Sequence, residues 1–253
     1  MTMLQSKTLT PLDRQACLNL AAKLAESPRT AMSHNALVNG HGVAFALGNA
    51  CLIEPNFLPG EPAGFAPDAS SLWALLRQIE GWYCVLTDTV LAQALGPLIE
   101  RESAKSVRYY TGLIFELAQP IVHASPNVRL LTQEDLPLVL AASELSSIDE
   151  TQHCAQLRLG LQVGTIVGGR LVALANVDSP IGRYAEIGVV TDETYRNRGY
   201  STAAASLVVQ SLQSQGRHPL WSCGESNAVS VAVAHKLGFV ERDRMTYVIP
   251  AKS

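Results

Sequence analysis

Positive charge is the first thing this chain lacks. Its 19 lysines and arginines are outnumbered by 22 acids, for a formal net charge of −3. A basic face that neutralises a phosphate backbone is therefore not expected, and neither is a nucleic-acid partner. Charge of either sign is thin at 16%, while 47% of residues are hydrophobic. That balance excludes a disordered chain and is ample for a buried core. Paired cysteines are also missing. Cys17, Cys51, Cys84, Cys154 and Cys223 are odd in number, scattered, and never in C-x-x-C spacing. Neither a zinc site nor a disulfide framework is indicated, and reduced thiols in a cytoplasmic compartment are the economical reading. Long apolar runs are absent too. Val43 to Ile53 is too short for a bilayer and contains Asn49, and Met1 to Gln15 has no apolar core of signal-peptide length. A soluble protein without a membrane partner is expected. His34 and His41 have no acid at ligand spacing, so no metal is expected. Gly40-His41-Gly42 lacks the third glycine of a dinucleotide fingerprint.

The length allows one large domain or two. The clearest seam is Gln119 to Asn127, bracketed by Pro120 and Pro126. It suggests an N-terminal α/β domain over residues 1–122 with no assignable role, and a second domain over 126–253. In the first, Pro11 to Ser27 has helical spacing, with Leu18, Ala21, Ala22 and Leu24 as the buried stripe. Gly42 to Leu47 reads as a strand. Glu54 to Ser71, with Pro55, Pro59, Pro62 and Pro67, reads as an extended loop. Helix (Leu72 to Gln78), strand (Trp82 to Leu86), helix (Val90 to Glu102) and strand (Val107 to Glu116) follow.

Beyond the seam the punctuation sharpens. Val128 to Leu131 is a short strand, and Thr132-Gln133-Glu134-Asp135 has the form of a capping box before a helix containing Pro137. Leu161 to Val167 and Arg170 to Val177 are strands joined by Gly168-Gly169, a two-residue hairpin signal. Tyr184 to Thr191 (strand), Gly199 to Gln215 (helix), Pro219 to Cys223 (strand), Asn227 to Leu237 (helix) and Phe239 to Pro250 (strand) complete the chain. The order implies an α/β (α+β) sandwich with a mixed, mostly antiparallel sheet flanked by helices.

The chemistry concentrates between Glu186 and Ser201. There a strand runs into a loop rich in cation and glycine, and the loop opens a helix. Free N–H groups and the dipole at such a helix start favour an anion. Gly199 has no Cβ to hold a phosphate off the backbone, and Arg196 and Arg198 add charge. Ala204, Leu207, Val208 and Leu212 give the helix an apolar face.

Arg196-x-x-Gly199-x-Ser201 resembles the R/Q-x-x-G-x-G/A signature of the GNAT superfamily of N-acetyltransferases. Asn227-x-x-Ser230-x-x-Val233-x-x-Lys236-Leu237-Gly238-Phe239 resembles the superfamily's second motif. The resemblance covers the chain from about Asn127 onward. It implies a GNAT-like, acetyl-CoA-using N-acyltransferase with an amine acceptor, the co-substrate being the one cofactor required. Backbone groups of Val189, Val190 and Thr191 are then expected to pair with the pantetheine arm. The N–H groups of Asn197, Arg198, Gly199, Tyr200, Ser201 and Thr202 are expected to hold the pyrophosphate, beside Arg196. Asn227 and Ser230 are expected to contact pantetheine from the other side, across a gap between Glu186–Thr191 and Leu220–Cys223.

Acyl transfer needs a neutral amine, although an ammonium loses its proton only near pH ~10.4. It also needs an oxyanion donor, sought near the Val189 N–H, and a proton for the leaving thiolate. Glu186 is the candidate general base; its plainer reading is a solvated strand acid or a partner of Arg183. Relatives often carry a tyrosine general acid where this chain has Ala234. His235 lies about 100° round the helix and does not replace it; either Cys223, Tyr200 or Tyr247 supplies the proton, or catalysis relies on positioning. Asn227 has a plainer reading as a helix cap, and the arginine loop as a surface turn.

Trp82-Tyr83-Cys84, followed by a helix and a strand, parallels Trp221-Ser222-Cys223, so the N-terminal half reads as a degenerate GNAT-like copy without the arginine–glycine loop. The expected activity is acetyl transfer to an amine, with a small molecule favoured as acceptor. A protein amine, or a non-catalytic acyl-CoA sensor, is the alternative, and a homodimer is left open.

Overall fold

The computed structural model describes residues 3–24, 26–56, 58–146, 148–177 and 183–251. The domain ends expected at Met1 and Ser253, Ala25 of the expected first helix and Phe57 of the proline-rich loop lie outside them. The chain divides into two units, Met1–Leu113 with Asp243–Ser253, and Ile114–Arg242.

The first unit holds β1 (Gln5–Ser6), α1 (Arg14–Leu24), α2 (Ala31–Asn39), β2 (Gly42–Leu47), β3 (Ala50–Pro55), β4 (Ala63–Phe65), α3 (Ala69–Leu76), β5 (Ile79–Glu80), β6 (Val85–Asp88), α4 (Thr89–Ser103) and the start of β7 (Val107–Leu117). The second continues with β8 (Val128–Leu130), α5 (Leu136–Ala141), α6 (Glu150–Arg158), β9 (Val163–Val167), β10 (Arg170–Val177), β11 (Tyr184–Thr191), α7 (Tyr200–Ser214), β12 (His218–Gly224), α8 (Ala228–Leu237) and the start of β13 (Phe239–Pro250). This is the mixed, mostly antiparallel α/β architecture the element order implied.

The division corrects the proline seam. β13 pairs antiparallel with β6 from Met245↔Asp88 to Val248↔Val85, and Val248 is buried in the core with Leu72, Leu75, Val85 and Leu95. The last strand thus closes the first unit's core, and a cut near residue 122 does not separate the units. Pro120 and Pro126 mark a surface passage, not a domain border.

Other local expectations shift for identifiable reasons. α1 buries Cys17 and Ala21, with Leu20 and Leu24 partly buried beside them. Ala22 is exposed because it falls off that stripe. The proline-rich segment contains β4, limited to three residues by the prolines around it. α2 and β3 carried no clear periodicity. β3 is buried at every position, as strands covered on both faces are, so it shows no alternation.

β3 also carries a fully buried acid, Glu54. Its carboxylate accepts the Leu4 N–H at 2.8 Å and the Gly60 N–H, tying the N-terminal segment and the proline-rich loop to the sheet. Glu54→Ala orphans two buried donors, at about 1–3 kcal/mol each. The expected result is a loss of about 2–5 kcal/mol, read by urea denaturation, with the first unit melting early. A loss under 1 kcal/mol would show that water replaces the carboxylate.

In the second unit, Thr132 and Asp135 form the expected capping arrangement, the Thr132 N–H donating to Asp135 Oδ2 at 2.8 Å. Two hydrogen bonds from Arg129, the foremost cause, hold Asp135 down to about 2. Gly168 and Gly169 take φ of 58° and 78°, the positive pair a two-residue hairpin requires. α7 is alanine-rich where it meets β10 and β11, burying Ala203, Ala204, Ala205, Val208 and Leu212. Leu207 is only half-buried.

Candidate active site

The site begins where two strands part. β11 pairs parallel with β12 from Tyr184↔His218 to Glu186↔Leu220, and among the described residues that ladder goes no further. β11 continues against β10 to Thr191. Two hydrogen bonds fix which peptide groups face the gap. The Asp192 N–H donates to the Val172 carbonyl of β10 at 2.9 Å, and the Arg183 carbonyl accepts from the His218 N–H of β12 at 2.8 Å. Peptide groups alternate sides along a strand. Gly188 and Val190 therefore turn theirs to β10, whereas Val189 and Thr191 turn theirs into the gap, with Ile187 at its apex. Val190 is thus corrected: its backbone is spent on the ladder with Leu174, and its side chain is exposed. The buried Thr191 hydroxyl has no hydrogen-bond partner among the described residues.

The loop after β11 is braced by its own side chains. Asp192 Oδ1 accepts from the Thr194 N–H and hydroxyl at 2.9 and 2.7 Å, and these bonds hold its carboxyl below the usual range. Asp192 Oδ2 pairs with Arg170 at 2.8 Å. Arg196 lies 3.2 Å from Glu193 and donates to the Thr191 carbonyl at 3.4 Å. Arg198 sits over the Tyr195 ring at 5.2 Å. Asn197 and Gly199 both adopt left-handed backbone, φ 64° and 77°. Gly199 heads α7 with no side-chain cap, and the first helical bond runs from the Ala203 N–H to the Gly199 carbonyl at 3.0 Å. The N–H groups of Tyr200, Ser201 and Thr202 precede it, so the helix leaves them without an acceptor. A Cβ on Gly199 would meet nothing within 4 Å. The cradle is open.

Glu186 stands at the last position of β11 that pairs with β12. Its carboxylate accepts a hydrogen bond from Ser222 Oγ of β12. Leu174 opposes Val190, so Glu186 and Val190 share the face on which Leu174 packs with Val139 of α5 and Leu157 of α6. Ser222 was not anticipated. Only the strand register reveals it, and no local spacing signals it.

On the opposite face of β12, Trp221 Nε1 donates to Ser230 Oγ of α8 at 3.0 Å. Ser230 also hydrogen-bonds the Cys223 thiol, which burial pushes above its ordinary value, so it stays protonated at neutral pH. Asn227 caps α8, Oδ1 accepting from the Ser230 N–H at 3.1 Å. Ala234 is fully buried. His235 is packed edge-on to Phe115 at 5.6 Å, with Nδ1 3.3 Å from the Phe239 carbonyl. Tyr200 is half-buried at the head of α7. Tyr247 belongs to the other unit, its ring 6.1 Å from that of Tyr110. Among the described residues no His, Cys, Asp and Glu cluster is arranged for a metal, and no helix is long and apolar enough to cross a membrane.

The first unit repeats this plan in reduced form. β2, β3 and β4 are antiparallel neighbours, α3 follows, and β4 meets β6 in a parallel contact at Ala63↔Leu86. Its helix start is filled from within, however. Asp68 Oδ1 accepts the Ser71 N–H at 2.8 Å and Oδ2 the Ser71 hydroxyl at 3.0 Å, which lowers the Asp68 pKa. An acid occupies the place where the second unit leaves free N–H groups.

A strand pair parting over gap-facing peptide groups, followed by an uncapped Arg-x-x-Gly helix start, agrees with the sequence comparison. The family model described as GNAT acetyltransferase matches residues 156–248. Residues 156–248 are a GNAT acetyltransferase domain. The GNAT fold extends further in solved structures. An acetyltransferase from the GNAT family of Colwellia psychrerythraea shares 13% identity at a TM-score of 0.66, over 97% of this chain and 100% of that one. A putative GNAT-family acetyltransferase from Novosphingobium aromaticivorans shares 24% at 0.59, over 90% and 99%. A tandem GNAT protein from the clavulanic acid biosynthesis pathway shares 15% at 0.55, over 99% of both chains. At these identities the likeness is one of fold, and the tandem layout agrees with the two-unit repeat. No curated protein matches the chain.

Proposed function

We propose that the second unit is an N-acetyltransferase of the cytoplasm that moves an acetyl group from acetyl-CoA to the amine of a small molecule. The observation that carries this is the parting of β11 and β12 after Glu186, with Val189 and Thr191 facing the gap beside the open start of α7. An extended pantetheine arm satisfies the Val189 carbonyl and the Thr191 N–H as an added strand does. The orphan Thr191 hydroxyl and the Cβ-free Gly199 fit the same ligand, while the Tyr200 to Thr202 N–H groups and the helix dipole suit its pyrophosphate. Asn227 and Ser230 border the gap from α8 with their hydrogen bonds partly spent within the protein. α5 and α6 pack over the face that carries Glu186, which favours a small acceptor over a protein segment.

Glu186 takes the proton of the incoming ammonium, directly or through a water, and Ser222 orients its carboxylate. The Val189 N–H faces the gap as donor to a developing oxyanion. Cys223, held as a thiol on the α8 face of β12, is the nearest replacement for the absent tyrosine as proton source.

Acetyl-CoA at a hundredfold excess over its dissociation constant is expected to stabilise the chain by about 2.7 kcal/mol, seen as a rise in melting temperature. No shift at millimolar acetyl-CoA or CoA sinks the proposal. Buried Ala234 favours a second reading, an acyl-CoA sensor. Thiol release from acetyl-CoA with a panel of primary amines separates the two: amine-dependent release supports the enzyme, and binding without release supports the sensor.

A further inference from the structure

Trp73 and Trp82, two of the three tryptophans in the chain, line a cavity of about 1140 Å³ whose walls all belong to the first unit. The polar ends of its aromatic lining are already committed. Trp73 Nε1 donates to Glu102 Oε2 at 2.6 Å, and Trp82 Nε1 to the Leu76 and Ile79 carbonyls at 3.1 Å. The Tyr83 hydroxyl donates to the Glu61 carboxylate. These three rings therefore offer a ligand apolar and π surface only. The one acid on the lining, Glu80, is held by Lys7 at 3.0 Å. Glu102 behind Trp73 is flanked by Arg77 and Arg101, and Glu100 accepts the Val107 N–H at 2.9 Å.

Two lining cations are unspent. Among the described residues, Lys105 and Arg108 make no ion pair and no side-chain hydrogen bond, and Lys105 is half-buried at the cavity. An apolar chamber of this size suits a small organic molecule. Aromatic faces and cations together select a flat body bearing negative charge, and two unpaired cations match the two oxygens of a carboxylate.

We propose that this cavity binds an aromatic carboxylate, its ring against Trp73 and Trp82 and its carboxylate held by Lys105 and Arg108. The site is separate from the acetyl-CoA gap and does not depend on that assignment. It gives the first unit, whose helix start is closed by Asp68, a ligand of its own.

The test is calorimetry on the full chain with 2-naphthoate. Saturable binding is expected, at least tenfold weaker for the neutral 2-naphthamide and for the Lys105→Ala, Arg108→Ala double variant. Both substituted side chains reach solvent, and circular dichroism checks that the variant is folded. Excess CoA should not displace 2-naphthoate. Absence of saturable binding up to millimolar concentration overturns the proposal. So does equal affinity for the amide or the double variant, or displacement by CoA.

Discussion

Gly199→Glu is expected to abolish stabilisation by acetyl-CoA while the apo chain stays folded. The position is exposed, and a Cβ there meets no protein atom within 4 Å. The cost to the fold is the left-handed backbone, φ 77°, roughly 1–2 kcal/mol for a residue with a Cβ. Against the ligand, the new carboxylate lies at the free N–H groups heading α7 and repels a pyrophosphate. In the first unit Asp68 caps α3 in this way, its carboxylate accepting the Ser71 N–H. Gly199→Ala is the control, because it carries the same backbone strain without the charge. Melting curves with and without acetyl-CoA should show the ligand shift lost in the glutamate variant and largely retained in the alanine variant. An undiminished shift in Gly199→Glu would move the phosphate site elsewhere.

Legibility in the sequence was uneven for physical reasons. β10 and β11 were placed to the residue, and the ends of α7 and α8 nearly so, because glycines, caps and β-rich runs punctuate them locally. The arginine–glycine loop was visible because its glycine and arginines sit side by side. What stayed hidden depends on register. That Val190 spends its backbone on β10 while Val189 faces the gap follows from one-residue alternation anchored by Asp192 and His218. The Glu186–Ser222 contact joins residues of different strands. The seam was misplaced because prolines mark surface passages as readily as borders. The strand partner of Met245–Val248, β6, lies far back in the chain. The short β4 and fully buried β3 offered no alternation to read. Trp82-Tyr83-Cys84 did point to a repeat, although β6 begins only at Val85.

Glu186→Gln is expected to lower turnover by about 10²- to 10⁴-fold, the usual contribution of a positioned base. The amide keeps the size of the side chain and an acceptor for the Ser222 hydroxyl but cannot take a proton. Acetyl-CoA affinity should hold, since the groups proposed to meet the cofactor lie beyond it on β11 and at the head of α7. The loss should therefore appear in kcat and kcat/KM together, and the acidic limb of the pH–rate profile should disappear with the carboxylate. Ser222→Ala separates positioning from proton transfer. If the hydroxyl only orients Glu186, its removal costs less than the Gln variant, leaves the limb in place and adds nothing in the double variant, because the two residues act as one unit. An acceptor amine already neutral at pH 7 should be spared by both changes. Near-normal kcat for Glu186→Gln on a strongly basic amine would return Glu186 to a structural strand acid and leave the base to another residue.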